Sequence, residues 1–136
     1  MSRENVEVVR QLFDAVARRD GPAALALYDD DFEWDFSRVP WGEVAGEGVH
    51  HGREALQSVY REWRRGWEDY EESLDELIDA GENVISVITG RGRGRASGAE
   101  VEVNTTGVWT VRNGKIIRSV WFPTCEEALE AVGLSE

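Results

Sequence analysis

Cysteine and histidine are scarce in this chain of 136 residues, with one cysteine, Cys125, and two histidines, His50 and His51. A single cysteine excludes an internal disulfide and any multi-cysteine metal site. Long apolar runs are missing too, since none approaches the roughly 20 residues that a transmembrane helix needs. We therefore expect a cytoplasmic protein that has no metal, no cofactor and no membrane contact.

Basic residues are also few, with 15 Lys and Arg against 27 Asp and Glu and a net charge of −12. Such a balance argues against sequence-independent nucleic-acid binding, which depends on neutralising phosphates with Lys and Arg. The one candidate basic patch is the row Arg91, Arg93 and Arg95, and glutamates on the next strand are expected to pair with it. The length predicts a single domain, residues 1–136.

The clearest pattern is the alternation of apolar and polar residues through residues 83–122, which predicts a three-stranded antiparallel meander. Asn113-Gly114 separates its last two strands and is typical of a type I′ turn, in which both central residues have φ > 0. If residues 96–99 form the first turn, period two places the charged side chains on the outer face. The expected pairs are Arg95 with Glu100, Arg93 with Glu102 and Arg91 with Asn104.

The inner face of this meander is then rich in glycine. Val101, Val103, Thr105, Gly107, Trp109 and Val111 are expected to face Gly90, Gly92 and Gly94. Glycines on an inner face leave room for a close-packed helix or for a ligand. A bulge between the strands would exchange the two faces.

Three helices are predicted before the meander. Apolar residues at helical spacing predict the first over residues 3–19, and Pro22 begins a second through residue 28, which ends at three adjacent aspartates, Asp29–Asp31. A third covers residues 53–66. A short fourth helix is expected between Thr124, which opens a capping box with Glu127, and Gly133.

Strands and a long loop connect these helices. Residues 32–36 alternate and predict a strand with Phe32, Trp34 and Phe36 on one side and Asp35 on the other. Residues 37–51, which include Trp41 and several glycines, are interpreted as a loop of the kind that often binds ligands. Residues 68–79 are expected to add a further strand to the sheet.

Five short segments in this order resemble the SnoaL-like group of the nuclear transport factor 2-like superfamily, relatives of ketosteroid isomerases and polyketide cyclases. The segments are residues 9–13, 27–31, 52–56, 108–116 and 127–134. The resemblance implies a cone-shaped α+β fold in which three N-terminal helices pack on a curved, mainly antiparallel sheet followed by a short C-terminal helix. It also implies an apolar pocket for a small hydrophobic molecule and a homodimer formed through the sheet.

The catalytic residues of these relatives are mostly missing here. In the ketosteroid isomerase pattern the first-helix tyrosine falls at Leu12, the base at Phe36 and the oxyanion aspartic acid near Gly107, and only the third-helix tyrosine has a match, at Tyr60. The His-Trp-Asp run of the cyclases corresponds to Ser119-Val120-Trp121. Asp35 and Arg53 match two members of an epoxide hydrolase set, but no third carboxylate is expected on the inner face of the meander.

One acid–base hypothesis remains. An imidazole has a pKa suited to a general base near neutral pH, and Asp35 is expected to end the strand beside His50. In this hypothesis His50 and Asp35 move protons while Tyr60 donates to an oxyanion. His51, directly before Gly52, is more simply explained as a structural residue where the loop meets the helix.

Six aromatic residues are expected to face one cavity in the resembling fold: Trp34, Phe36, Tyr60, Trp63, Trp109 and Trp121. They predict a pocket for a flat hydrophobic molecule, although the same rings could simply fill the cone. Two functions therefore stay open. The protein either binds an apolar ligand, or it is a cofactor-independent isomerase, cyclase or lyase for a polyketide-like or steroid-like ring.

Overall fold

A six-stranded sheet, with strand order β2-β1-β6-β5-β4-β3, organises the fold. The computed structural model describes residues 2–38 and 49–134. The elements in chain order are α1 (Ser2–Ala17), α2 (Gly21–Leu25), β1 (Tyr28–Asp35), β2 (Val49–His51), α3 (Gly52–Arg65), β3 (Trp67–Ala80), β4 (Asn83–Gly94), β5 (Glu100–Arg112), β6 (Lys115–Phe122) and α4 (Cys125–Ala131). All neighbouring strands are antiparallel except β1 and β6, which are parallel. The predicted α+β class, with three N-terminal helices, a curved, mainly antiparallel sheet and a short C-terminal helix, is confirmed.

The second helix is shorter than predicted, because it ends at Leu25 and Tyr28 already belongs to β1. The carboxylate of Asp20 caps α2 by accepting a hydrogen bond from the Ala23 N–H at 3.1 Å. Tyr28 is fully buried and lies opposite Ile116 of β6. Pairing with β6 therefore outweighs local helix propensity here, and Asp29–Asp31 lie in a strand and not at a helix end.

The meander is confirmed, but its first hairpin is paired two residues away from the predicted register. Arg93 lies opposite Glu100 and Arg91 opposite Glu102, and Arg91 Nε donates to Glu102 at 2.7 Å. The reason is a turn displaced by one residue: the Gly94 N–H donates to the Ala99 carbonyl and the Gly98 N–H to that of Gly94, so residues 95–98 form the turn in place of 96–99. A shift of two residues keeps each side chain on its predicted face.

Part of the predicted loop 37–51 is a strand, since Val49–His51 forms β2 and pairs with β1. Within this pair His50 lies opposite Trp34, and Val49 lies opposite Asp35. The predicted loop residues 39–48, with Trp41, lie outside the described residues. The predicted turn at Asn113-Gly114 is confirmed, because both residues have positive φ, of 53° and 75°.

Each face of the sheet packs against helices. The inner face carries Val84, Ile88 and Trp109 against α1 in the larger core. The outer face carries Ile85 and Val108 against α4, which begins at the predicted cap, where the Thr124 hydroxyl accepts from the Glu127 N–H at 3.2 Å. No helix among the described residues is long and apolar enough to cross a membrane.

Gly107 lies at a tightly packed point of the inner core, between Ser86, Trp109 and Trp121. A Cβ added there would lie 3.0 Å from Trp109 Nε1, 3.1 Å from Ser86 Oγ and 3.2 Å from Trp121 Cζ3. The Trp109 indole cannot yield easily, because it donates a hydrogen bond to Ser86 at 2.8 Å. We expect Gly107→Ala to lower the free energy of unfolding by about 1–2 kcal/mol in urea titrations, as overpacked cores do.

Gly21→Ala is the matched control for that substitution. A Cβ at Gly21 meets nothing within 4 Å, so this variant should keep or slightly raise the stability. Equal stabilities for the two variants would show that the space around Gly107 is not restrictive.

Candidate functional site

An apolar cavity of about 70 Å³ lies between the inner face of the sheet and helices α1 and α3, and we call it the aromatic pocket. The structure places all six aromatic residues predicted from the sequence in its wall. Leu12, Phe13 and Val16 of α1 close it on the helical side. The six predicted aromatic residues are Trp34, Phe36, Tyr60, Trp63, Trp109 and Trp121.

The rings are positioned by strand alternation and by contact with one another. Period two along β1 places Trp34 and Phe36 on the inner face, with ring centroids 4.7 Å apart. Trp109 is held edge-on between Phe13 at 5.8 Å and Trp121 at 5.6 Å. Such packed aromatic pairs add stability beyond their burial.

The pocket is small for a ligand site. A cavity of about 150 Å³ is known to hold benzene, whereas this one has about 70 Å³. A ring-sized ligand must therefore move side chains at the mouth. Among the described wall residues Glu72 alone is exposed, and it marks the mouth beside Tyr70, Trp63 and Val103, which are half-buried.

Aromatic rings of β3 occupy the room that the inner-face glycines leave. A Cβ at Gly90 would collide with the Tyr70 ring, and one at Gly92 would lie 2.9 Å from Trp67 Cε3. Asp69, with φ of 54°, lies in an irregularity of β3 beside Tyr70. The space beside these glycines is therefore filled by aromatic rings of β3. Within the described part of the chain it contains neither a helix nor a cavity.

Glu72 is a pocket residue that sequence analysis missed. It lies opposite Gly90 in the pairing of β3 with β4, and its carboxylate accepts a hydrogen bond from the Tyr70 hydroxyl at 3.0 Å. The available signal was period two, because Tyr70 and Leu74 flank Glu72 at that spacing and Leu74 packs on the inner core. A carboxylate therefore reaches the pocket from β3 and not from the meander.

The environment of Glu72 raises the pKa of its carboxyl group. Burial by surrounding protein atoms raises the pKa of Glu72 above its ordinary value of 4.5, and the hydrogen bond from Tyr70 opposes that rise. Part of the Glu72 side chain remains accessible to solvent, which fits a position at the pocket mouth. The pKa of Tyr70 is raised by burial and by the nearby Glu72 carboxylate, so its hydroxyl stays a hydrogen-bond donor.

Two buried hydrogen-bond donors in the pocket wall have no partner among the described residues. They are the indole N–H groups of Trp34 and Trp121, whose side chains are more than nine-tenths buried. Trp109, by contrast, donates to Ser86. Buried donors are nearly always paired in proteins, so the two free indoles distinguish this wall from an ordinary core.

The predicted catalytic residues are not all in one place. Tyr60 lies in the pocket wall, and burial raises its pKa to about 12. His50 is on the same face as Trp34, with its ring 6.1 Å from that of Phe36 and its Nε2 buried without a described partner. Asp35 is on the opposite face, where its carboxylate accepts from the Ser37 N–H at 2.8 Å and the Ser37 hydroxyl at 2.6 Å.

No hydrogen bond joins His50 to Asp35 within the described part of the chain. The same residues, 2–38 and 49–134, include no group of three or more His, Cys, Asp or Glu side chains arranged to hold a metal ion. The described wall residues thus offer hydrogen-bond donors, in the indoles and tyrosines, and one carboxylate, that of Glu72.

Residues 9–119 match the family model of the SnoaL-like domain. Among solved structures, a nuclear transport factor 2-like protein of Burkholderia thailandensis is 28% identical, with coverage of 96% of this chain and 97% of that one and a TM-score of 0.76. Another such protein, of unknown function, from Burkholderia pseudomallei is 23% identical, with coverages of 96% and 98% and a TM-score of 0.77. TerC, co-crystallised with polyporic acid, is 19% identical, with coverages of 95% and 98% and a TM-score of 0.77. No curated protein sequence matches the chain.

Proposed function

Because the chain belongs to the SnoaL-like domain family, whose fold encloses an apolar pocket, we propose that it binds a small, flat, mostly hydrophobic molecule that carries a hydrogen-bond acceptor such as a carbonyl oxygen. The observation that carries this proposal is the pair of unpartnered indole N–H groups of Trp34 and Trp121. The rest of the pocket wall is dominated by aromatic and aliphatic side chains, which suit an apolar ring.

The energetic reason is the cost of leaving a buried donor unpaired, about 1–3 kcal/mol for each group. A ligand oxygen that accepts from either indole removes part of that cost and gains directional binding. A hydrocarbon of the same shape gains only the burial of its surface. The pocket should therefore distinguish a ketone from its hydrocarbon analogue. The complex of TerC with polyporic acid supports a small-molecule role for this fold.

Binding of acetophenone and isopropylbenzene, which have similar shapes but differ in the carbonyl group, tests this proposal. We expect acetophenone to bind more tightly and to shift the indole N–H resonances of Trp34 and Trp121 downfield in two-dimensional NMR spectra. Trp34→Phe and Trp121→Phe should each weaken acetophenone binding about tenfold, the value of one buried hydrogen bond. Binding of isopropylbenzene should change less.

The indole of Trp109 provides the internal control: because it already donates to Ser86, acetophenone and isopropylbenzene should shift its resonance equally, through the ring current alone. Equal affinities for the ketone and the hydrocarbon, or shifts confined to residues outside the pocket, would contradict the proposal. Water bound to both indoles without displacement by acetophenone would contradict it as well.

A second candidate function is proton transfer next to that carbonyl, with Glu72 as the base. Specific support comes from the position of Glu72 in the pocket wall, from its raised pKa and from its hydrogen bond with Tyr70. The Glu72 carboxylate would take a proton from the carbon next to the carbonyl. The electron pair of the broken C–H bond would form the enolate, whose oxygen accepts hydrogen bonds from the indoles, and the proton would return to a different carbon.

The acid–base pair of His50 and Asp35, with Tyr60 as donor, stays a prediction. In its favour, His50 is on the inner face and its Nε2 has no described partner. NMR titration of His50 in the wild type and in Asp35→Asn tests it. An unchanged His50 pKa would exclude an orienting role of Asp35.

The homodimer through the sheet is likewise a proposal. The outer face of β4 and β5 carries the ion pairs Arg91–Glu102 and Arg93–Glu100, with side chains exposed in the single chain. Sedimentation equilibrium measures the mass directly. A monomer at micromolar concentrations would contradict the proposal.

A further inference from the structure

A second concave region lies behind the aromatic pocket, between the C-terminal end of α1, α2 and α3. It has a volume of about 340 Å³, within the range of small-molecule sites. Its rim carries Arg19, Arg61 and Arg64, and its floor includes Tyr28 and Tyr60. We call it the arginine groove.

The charge of the groove is opposite to that of the chain. Arg61 and Arg64 project from one face of α3, and Arg19 joins them from the end of α1. None of these three side chains makes an ion pair or hydrogen bond with a described residue, whereas neighbouring Arg18 bonds Asp14 at 3.0 Å. Asp20, the one acidic side chain among the described residues of the groove, already accepts from the Ala23 N–H.

The floor of the groove contains an unused donor. The Tyr28 hydroxyl is fully buried and has no hydrogen-bond partner among the described residues. The Tyr60 hydroxyl is close enough to affect the pKa of Tyr28, but the two do not reach the geometry of a hydrogen bond. Burial raises the pKa of Tyr28, so its proton is available for donation at neutral pH.

Arg19 occupies a position at which glycine is usual. Its φ is 58°, its N–H donates to the Val16 carbonyl and the Asp20 N–H donates to the Ala15 carbonyl. These bonds form a Schellman motif, in which the residue with positive φ is most often Gly. An arginine is strained there, and the turn directs the chain so that this cation lies at the groove.

We propose that the arginine groove is a second binding site, for a small organic anion whose carboxylate or phosphate group is held by Arg19, Arg61, Arg64 and the Tyr28 hydroxyl. Guanidinium groups match the geometry of both oxyanions and bind them by charge-assisted hydrogen bonds. The apolar part of the anion packs on Ala24 and Leu25 of α2. The hydrogen-bond donors of this site differ from the indoles that would bind a ligand in the aromatic pocket, so this inference does not depend on the proposed function.

Calorimetric titrations with benzoate, phenyl phosphate and neutral benzamide test the site on the full chain. We expect one or both anions to bind and benzamide not to, and the stronger anion identifies the head group. Arg61→Ala, Arg64→Ala and Tyr28→Phe should each weaken anion binding about tenfold. The matched control is Arg65→Ala, because Arg65 lies on the same helix but pairs with Glu62.

Arg19→Gly separates binding from folding. Glycine relieves the strain at positive φ, so the urea midpoint should rise while anion affinity falls about tenfold. Binding of neither anion at 10 mM, or an equal loss of affinity in Arg65→Ala, would overturn the proposal. Acetophenone should still shift the indole N–H resonances of Trp34 and Trp121 in Arg61→Ala, which would show that the aromatic pocket is intact. Failure of one site is therefore distinguishable from failure of the other.

Discussion

Trp109→Ala is expected to lower the free energy of unfolding by about 4 kcal/mol, a large part of the about 5–15 kcal/mol that stabilises a typical domain. Trp109 is 2% exposed and packs edge-on against Phe13 and Trp121. Truncation removes those contacts and leaves a cavity next to the aromatic pocket. It also removes the donor bonded to Ser86, whose side chain is fully buried. Urea unfolding followed by circular dichroism measures the loss.

A double-mutant cycle separates packing from the hydrogen bond. Trp109→Phe keeps most of the ring but leaves the Ser86 hydroxyl unpaired, which costs about 1–3 kcal/mol for a buried group. Adding Ser86→Ala removes the unpaired group, so the double variant should be more stable than Trp109→Phe alone. If the second substitution gives no recovery, the Ser86 bond does not contribute to the stability. A loss below about 2 kcal/mol in Trp109→Ala would contradict its place at the centre of the core.

The sheet was predictable from the sequence because its signals are local. Asn113-Gly114 fixes the β5–β6 turn by its need for positive φ, and alternation assigns Trp109 to the inner face. The register of β4 with β5 was not predictable to the residue. It depends on where the turn after Gly94 is placed, and a turn displaced by one residue satisfies the same pattern of polar and apolar residues.

The limits of α2 and β1 were set by distant partners. The local sequence predicts that Tyr28 ends a helix. In the structure it belongs to β1, where it pairs with Ile116 and is fully buried. The same holds for Val49–His51, which forms a strand because its backbone pairs with the edge of β1. Such contacts between segments far apart in sequence cannot be derived from local propensity.

The site was predictable in its apolar part and not in its polar part. Period two and helical spacing assign each aromatic residue to a face of its own element, and the resemblance to the SnoaL-like group implies that these faces meet at one cavity. The role of Glu72 depends on β3 pairing with β4, where Gly90 leaves space for the Tyr70 ring. The absence of partners for the Trp34 and Trp121 indoles depends on the whole three-dimensional packing.

On the proposed role of Glu72 as the base, Glu72→Gln should slow the isomerisation of a bound ketone about 100-fold or more, the usual contribution of a general base. The reaction is the conversion of cyclohex-3-enone to cyclohex-2-enone, followed by the ultraviolet absorbance of the conjugated ketone. Glu72 takes a proton from C2, between the carbonyl and the double bond, and C4 receives it. Because the carboxylate is the active form and its pKa is raised, the rate should reach half its maximum at a pH above 4.5.

The neighbouring variants decide whether Glu72 acts as the base. Glu71→Gln is the matched control, because Glu71 lies opposite Arg91, whose side chain points outward, and does not line the pocket. Tyr70→Phe removes the hydrogen bond that opposes the rise in the Glu72 pKa, so its rate profile should shift to higher pH while the maximum changes little. If Tyr70→Phe leaves the pH–rate profile unchanged, or if Glu72→Gln and Glu71→Gln have equal rates, Glu72 is not the base. The pocket would then bind ketones without transferring their protons.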